Sequence, residues 1–395
     1  MTILVCHNHY AVRAGEDHAV GAESQLLRDY GHEVVTYVRD NREIGKWPWW
    51  RKVGLVMAGF YHPGVAREIR KLVTRVRPDV AHVHNVFPLL SPGIVKVLRA
   101  AGIPVVYTAH NFRCVCANGL LFRHGKVCHD CLHWRYAVCV RERCFRDSWW
   151  ASLWYAAIIW WHRWRRTWQR HVTRVIALNH FSRGLLLQAG FAEKQLVVLP
   201  NFADEGYAIE VERKEAYVVF VGRLVEEKGV VTVLGAAELV PEVRVHIAGG
   251  GPLESMVRST VSAKGLKNVT LLGHIEKEQL ALVVAGALVL VFASLCYENC
   301  PLVVVNALWA GTPVVAARTG GVPEFVPEGR AGWHFTPGDS VELAERLKWV
   351  WTHRREVEGM RAQVRAWARE QFAPRVHAER LREIYAEAIA AVRRG

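Results

Sequence analysis

The sequence has no apolar run close to the roughly 20 residues that a membrane-spanning helix requires. Two apolar runs, LVLVFAS at 288–294 and TPVVAA at 312–317, are of buried-strand length. Acidic residues are in short supply: 37 Asp and Glu stand against 51 Lys and Arg, leaving a net charge of +14. The opening MTILVCHNHY carries neither a basic flank nor a cleavage site, so no secretory leader is expected. Nine cysteines in such a chain argue against a disulfide framework. There is no glycosidase-type pair of carboxylates, no nucleophile elbow and no nucleic-acid recognition motif. What remains is a cytoplasmic protein, either soluble or peripheral on the inner face of a membrane.

A chain of 395 residues, about half of them apolar, suffices for two domains of about 200 residues, each with its own core. Its charge is uneven. Between Arg113 and Arg174, twelve Lys and Arg face three Asp and Glu, which implies an anionic partner for that segment.

Strand-like runs alternate with helical patterns throughout, which predicts α/β domains with parallel sheets covered on both faces. The expected division is a first domain at 1–203, a polar linker at 204–216, a second domain at 217–374 and a closing helix at 375–395. In the first domain, Gly15 follows the first strand and lets backbone approach a ligand, beside Ala14 with its narrower backbone freedom. His110 follows the strand VVYTAHNF at its ligand-facing edge, whereas His82 and His84 fall within a strand and read as packing residues.

An insertion at 113–147 gathers six cysteines: Cys114, Cys116, Cys128, Cys131, Cys139 and Cys144. Cys128-x2-Cys131, flanked by Cys116 and Cys144, has the spacing of a structural zinc site, with Cys114 and Cys139 as rival ligands. The next stretch, 148–172, lacks Gly and Pro and reads as one helix. Trp150, Leu153, Trp154, Ala157, Trp161, Trp164 and Trp168 share one face, and His162, Arg163, Arg166 and Arg170 lie opposite. Tryptophan favours the lipid–water boundary and arginine favours anionic headgroups, so a membrane or lipid-linked acceptor contact is expected here.

In the second domain Arg223 follows a buried strand and Lys228-Gly229 opens a helix, a cationic clamp suited to a diphosphate. Gly249, Gly250 and Gly251 form a strand-to-helix turn that admits a phosphate or nucleobase. The organising stretch is FASLCYENCPLVVVNALWAGTPVVAA, read as strand, turn, helix, glycine stop and strand. Glu298 sits at the strand's end, where a carboxylate accepts hydrogen bonds from sugar hydroxyls. The turn through Asn299, Cys300, Pro301 and Leu302 offers backbone N–H groups to phosphate.

YENCPLVVVNALWAGTPVVA resembles the E-x7-E signature region of the retaining glycosyltransferases of family 4. Glu298 matches the first acidic position and Asn306 stands at the second, where the family usually has Glu. G-R-L-x3-K-G around Arg223 and Lys228 also resembles the family. The resemblance implies the GT-B fold: two Rossmann-like domains facing a cleft, with a C-terminal helix crossing back to the first. It implies a nucleotide-diphosphate sugar donor, a glycan or polyprenyl-linked acceptor, His110 on the donor sugar, Asn306 near the ribose and no catalytic metal. Part of the family has a similar cysteine pattern. The alternative is a degenerate homologue that binds a membrane or polyanion through its Trp/Arg segment.

Overall fold

A computed structural model describes residues 1–11, 15–209 and 216–394, without the side chains of 49–53. Ala14 and most of the expected linker, 210–215, lie outside the described residues. The chain forms two compact units. The first comprises Met1–Leu121, Cys128–Pro200 and His377–Gly395; the second comprises Phe122–Val127 and Asn201–Val376. The division falls at Pro200/Asn201 because the chain after it is tied to second-unit groups. Asn201 Nδ2 donates to Cys300 O (3.4 Å) and Ala203 N–H to Phe372 O (2.9 Å).

The first unit is built on strands β1 (Thr2–His9), β2 (Glu33–Asp40), β3 (Val80–Val83) and β4 (Val105–Ala109), completed by two later strands. A short hairpin, β5 (Phe122–Arg123) with β6 (Lys126–Val127), precedes those two, β7 (Arg174–Ala177) and β8 (Leu196–Val198). All six sheet strands are parallel, in the order β2-β1-β3-β4-β7-β8. Ile3, Leu4 and Val5 of β1 and Val105 and Val106 of β4 are almost wholly buried. Each such side chain contributes about 1.5–3 kcal/mol, so these strands are fixed by burial and not by propensity. The helix Pro374–Arg393 buries His377, Leu381, Ile384, Tyr385 and Ala388, one face at helical spacing, and from His377 onward belongs to this unit.

The second unit repeats the plan. Strands β9 (Val218–Val221), β10 (Val245–Ala248), β11 (Val269–Gly273), β12 (Leu290–Phe292), β13 (Val314–Ala317) and β14 (Gly332–Phe335) form a parallel sheet. Their order is β11-β10-β9-β12-β13-β14. Chain order reverses between β9 and β12. That switch point opens a crevice at the strands' carboxyl ends, the place where such sheets receive ligands.

Candidate active site

Two loops meet at the second unit's switch point. The loop after β9 carries Arg223, which is exposed, and Lys228; the loop after β12 carries Ser294 and Glu298. Lys228 Nζ lies 2.5 Å from Glu298 Oε1, which also accepts from Ser294 Oγ at 2.9 Å. Burial works against the lysine's charge, but the Glu298 carboxylate beside it prevails and holds its pKa above the ordinary value. Glycine makes the approach of the loops possible. Gly229 has φ +71°, and a Cβ there would stand 2.0 Å from Ala293 O. Gly249, at φ +140°, makes room for Gly222 O, 1.9 Å from where a Cβ would be.

The helix after this loop runs Leu302–Trp309 and stops at Gly311, with φ +77°. Pro301 is the residue before its first turn, extended at ψ 109°, and has no N–H to give. Anion contacts in this turn would therefore fall to Asn299, Cys300 and Leu302. Asn306 has protein partners: its Oδ1 accepts the Asp204 N–H at 2.9 Å, and its side chain meets the Tyr207 hydroxyl.

The first unit places a polar network under the carboxyl ends of β3 and β4. His84 Nδ1 and His110 Nε2 are 3.0 Å apart with the rings stacked. Glu23 Oε1 lies 3.1 Å from His82 Nδ1 and 3.6 Å from His84 Nε2, while its Oε2 lies 3.1 Å from His377 Nε2. His82 also meets Tyr385 OH and Thr108 Oγ1, both at 2.7 Å. His82 and His84 are buried, as expected of strand residues, and both also make hydrogen bonds. Burial alone would raise the Glu23 pKa, but His82 and His377 hold it well below the usual carboxylate range. Burial pushes His110 down to about 3 and His84 well below its ordinary value, so both rings are neutral.

A neutral pair shares one proton across its hydrogen bond. A bare His84 Nε2 facing the Glu23 carboxylate would be repelled, so the charge selects the tautomer with the proton on Nε2. His84 Nδ1 then accepts, His110 Nε2–H donates, and His110 Nδ1 is left as that ring's acceptor.

Sequence reasoning passed over Glu16. Tyr10 OH and Asn111 Nδ2 both donate to its Oε2 at 2.8 Å. Burial lifts it to about 7, against the pull of Tyr10, Arg113 and Asn111. A carboxyl raised to about 7 and hydrogen-bonded to Asn111, the neighbour of His110, is a candidate proton carrier. Its only sequence signal was an acidic residue opening a helix beside Gly15.

The Trp-rich segment is two helices, not one. Trp149–Trp164 is capped by Ser148, whose Oγ accepts Ala151 N–H; the chain turns at Arg166 (φ +52°) and resumes as Thr167–His171. Trp150 is 75 % and Trp164 57 % exposed, and Trp149, Leu153, Trp160 and Trp161 share that surface. Trp154 is half-buried, its Nε1 donating to Val56 O (2.9 Å), which brings exposed Val56 and Met57 to the same side. Two expectations fail. Trp168, carried inward by the turn, is 1 % exposed and lies against Tyr107. Arg163 is buried: its guanidinium donates to Cys131 O and Tyr136 OH at 2.7 Å and lies 4.2 Å from the Trp134 ring. A helical wheel assigns Arg163 to solvent because it cannot show that the cysteine-rich loop covers that face.

In that loop Cys116, Cys131, Cys139 and Cys144 form a row in which each thiol interacts with the next. Cys128 Sγ turns to Asp130 Oδ2 at 3.4 Å, so Cys139 stands where the spacing pointed to Cys128. Among the described residues, the triads whose ligand atoms all come within 4.8 Å are His7–His9–Asp17 and Glu23–His82–His84.

Residues 207–371 match the family described as glycosyl transferases group 1, and residues 18–206 match Glycosyltransferase Family 4. The chain belongs to the GT-B glycosyltransferases of the family 4 type.

Among curated relatives, sulfoquinovosyl transferase SQD2 of Arabidopsis thaliana is 31 % identical over 155 residues, 38 % of this chain and 30 % of the relative. D-rhamnosyltransferase WbpZ of Pseudomonas aeruginosa is 25 % identical over 214 residues, 51 % of this chain and 56 % of the relative. The chain thus spans between about a third and just over half the length of these two. The crystal structure of Anabaena HepE in complex with UDP is similar in fold, with a TM-score of 0.68 at 17 % identity, covering 98 % of this chain and 100 % of that one.

Proposed function

We propose that this protein is a retaining glycosyltransferase that moves a sugar from a nucleotide-diphosphate donor to a hydroxyl of a glycan or lipid-linked acceptor. The observation that carries the reading is the pairing of Lys228 with Glu298 at the second unit's switch point, beside exposed Arg223. Family membership and the named sugar transferases among its relatives support it. The binding of UDP by HepE supports the donor class.

In a front-face displacement the bond from the anomeric carbon to the diphosphate oxygen breaks as the acceptor oxygen bonds on the same face. The acceptor's proton passes to the departing phosphate oxygen. Arg223 and Lys228 stabilise the charge gathering on that group, which is where a fixed cation lowers the barrier. Glu298 fixes Lys228 and accepts from sugar hydroxyls. No step calls for a metal. Turnover of a panel of nucleotide sugars tests the reading. Release of the nucleoside diphosphate should fall at least tenfold in Arg223→Ala; unchanged release would refute the assignment.

The setting we propose is peripheral, on the cytoplasmic face of an anionic membrane in envelope glycan or glycolipid synthesis. Among the described residues no helix is long and apolar enough to cross a membrane. The exposed Trp surface and the adjacent Arg165, Arg166 and Arg170 suit the interface instead. Flotation with anionic vesicles should be lost in the Trp161→Ala/Trp164→Ala variant; equal flotation would remove the membrane from the proposal.

A further inference from the structure

A cavity of about 410 Å³ opens in the first unit at the foot of the Trp helix. Arg166, Arg170, Arg174 and Lys194 line it, together with Gln169 and Gln195. Arg174 begins β7 and Gln195 comes directly before β8, so the cavity lies at the amino end of these strands. His110 and its network lie at the carboxyl end of the same sheet. The cavity is therefore separate from the candidate active site.

Its charge is not balanced from within. Among the described residues the carboxylate that pairs with this group is Glu387, whose Oε2 lies 3.3 Å from Arg174 Nε. Arg166, Arg170, Arg174 and Lys194 line one cavity, which brings four like charges together. Such crowding is unfavourable unless an anion relieves it. The turn at Arg166, with its positive φ, brings this group together, a conformation that a non-glycine residue adopts at a cost.

The second observation concerns acceptors. Gln195, 7 % exposed, donates its Nε2 to Gln169 O (3.0 Å) and Val172 O (2.5 Å), which fixes its amide orientation. Its Oε1 is buried and receives no hydrogen bond, and the same holds for Gln169 Oε1. Buried acceptors without donors are uncommon and point to a missing partner that has hydroxyl groups. Bare phosphate at neutral pH supplies charge but little donation. A phosphate ester of a polyol supplies both.

We propose that this cavity binds a phosphorylated polyol, its phosphate among Arg166, Arg170, Arg174 and Lys194 and its hydroxyls on Gln169 and Gln195. That chemistry has two sources: the headgroup of a phosphoglycerol lipid, or a soluble sugar or glycerol phosphate. The site does not depend on the donor reading.

The test uses the full chain. Titration calorimetry compares glycerol 3-phosphate, inorganic phosphate and glycerol, and flotation compares phosphatidylglycerol with phosphatidylcholine vesicles. Glycerol 3-phosphate should bind more tightly than inorganic phosphate. Arg166→Gln/Arg170→Gln should weaken it by roughly ten- to hundredfold, the effect of losing charged hydrogen bonds. Arg165→Gln, outside the lining, should change it less than threefold by the ~0–1 kcal/mol scale of exposed charges. Gln195→Leu should erase the preference over inorganic phosphate. Lys194→Gln gives a second charge variant should the double variant melt at a lower temperature.

Binding confined to phosphatidylglycerol vesicles assigns the lipid source, and binding of the soluble ester assigns the free one. Absence of both, or equal losses in Arg165→Gln and in the cavity variants, overturns the site.

Discussion

Acidification from pH 6.5 to about 5 should destabilise the first unit, and the size of the loss can be worked from its buried groups. His84, His110 and His162 are held neutral by burial, His110 down to about 3 and His162 to about 4. In the unfolded chain all three take up protons below 6.5, so there the unfolded state binds three more protons than the folded one. Glu16 acts in the opposite sense. Held near 7 by burial, it stays protonated in the folded state while its unfolded counterpart has ionised, which returns one proton. A net uptake of two protons on unfolding gives a slope of about 2.7 kcal/mol per pH unit, stability rising with pH. Across this window the loss is about 3 kcal/mol, because the unfolded histidines are only half protonated at pH 6.5, and it is a large fraction of a typical domain's stability. His32 and His171, also pushed down by burial, act in the same direction. Glu23, whose pKa is depressed, matters only at lower pH: its contribution is present above the unfolded 4.5 and fades as pH falls through its folded value. Urea unfolding followed by tryptophan fluorescence at several pH values reads the slope. Glu16→Gln should steepen it to about 4 kcal/mol per unit and His162→Gln should reduce it to about 1.4. A first-unit transition unaffected by pH over this range, or both variants shifting the slope the same way, would refute the reasoning.

Glu298→Gln removes the charge that keeps Lys228 protonated against burial, so sugar transfer should fall by roughly ten- to hundredfold. Its alkaline limb should move to lower pH, and a pH profile identical to the parent's would contradict the pairing. Glu23→Gln should release the tautomer of His84, so that nitrogen-15 NMR finds His110 losing its single Nε2–H form; an unaltered ring signal would show that the carboxylate does not select it. Gly229→Ala places a Cβ on Ala293 O in a left-handed conformation and should cost the second unit about 2–4 kcal/mol in urea unfolding. A change under about 0.5 kcal/mol, the scale of neutral surface substitutions, would mean that the loops are not locked together.

The second unit was legible because its chemistry is local in sequence. Arg223 and Lys228 occupy one turn and Glu298 another, each just after an apolar run that only a buried strand explains. The first unit's network was not legible, since Glu23, the His82/His84 pair, His110 and His377 come from four separate elements, and only the pair shares a spacing. What identified β3 in the sequence, its alternation of His with apolar residues, also concealed its polar role: a buried histidine and a buried valine satisfy the same strand pattern. Only the approach of the Glu23 carboxylate distinguishes them.

The Trp segment shows the same limit in reverse. Its wheel described the exposed face correctly for Trp150, Leu153, Trp161 and Trp164, because solvent exposure on a regular helix follows from periodicity alone. It misassigned Arg163, which the neighbouring loop covers, and Trp168, which lies beyond the turn at Arg166. That turn has a further consequence. Without it Arg166 and Arg170 would continue along a single straight helix as a solvated basic stripe. With it they stand beside Arg174 and Lys194 around a cavity. The basic surplus read from composition thus becomes a candidate site through a single backbone torsion, and a surplus read from composition has no address until the chain turns.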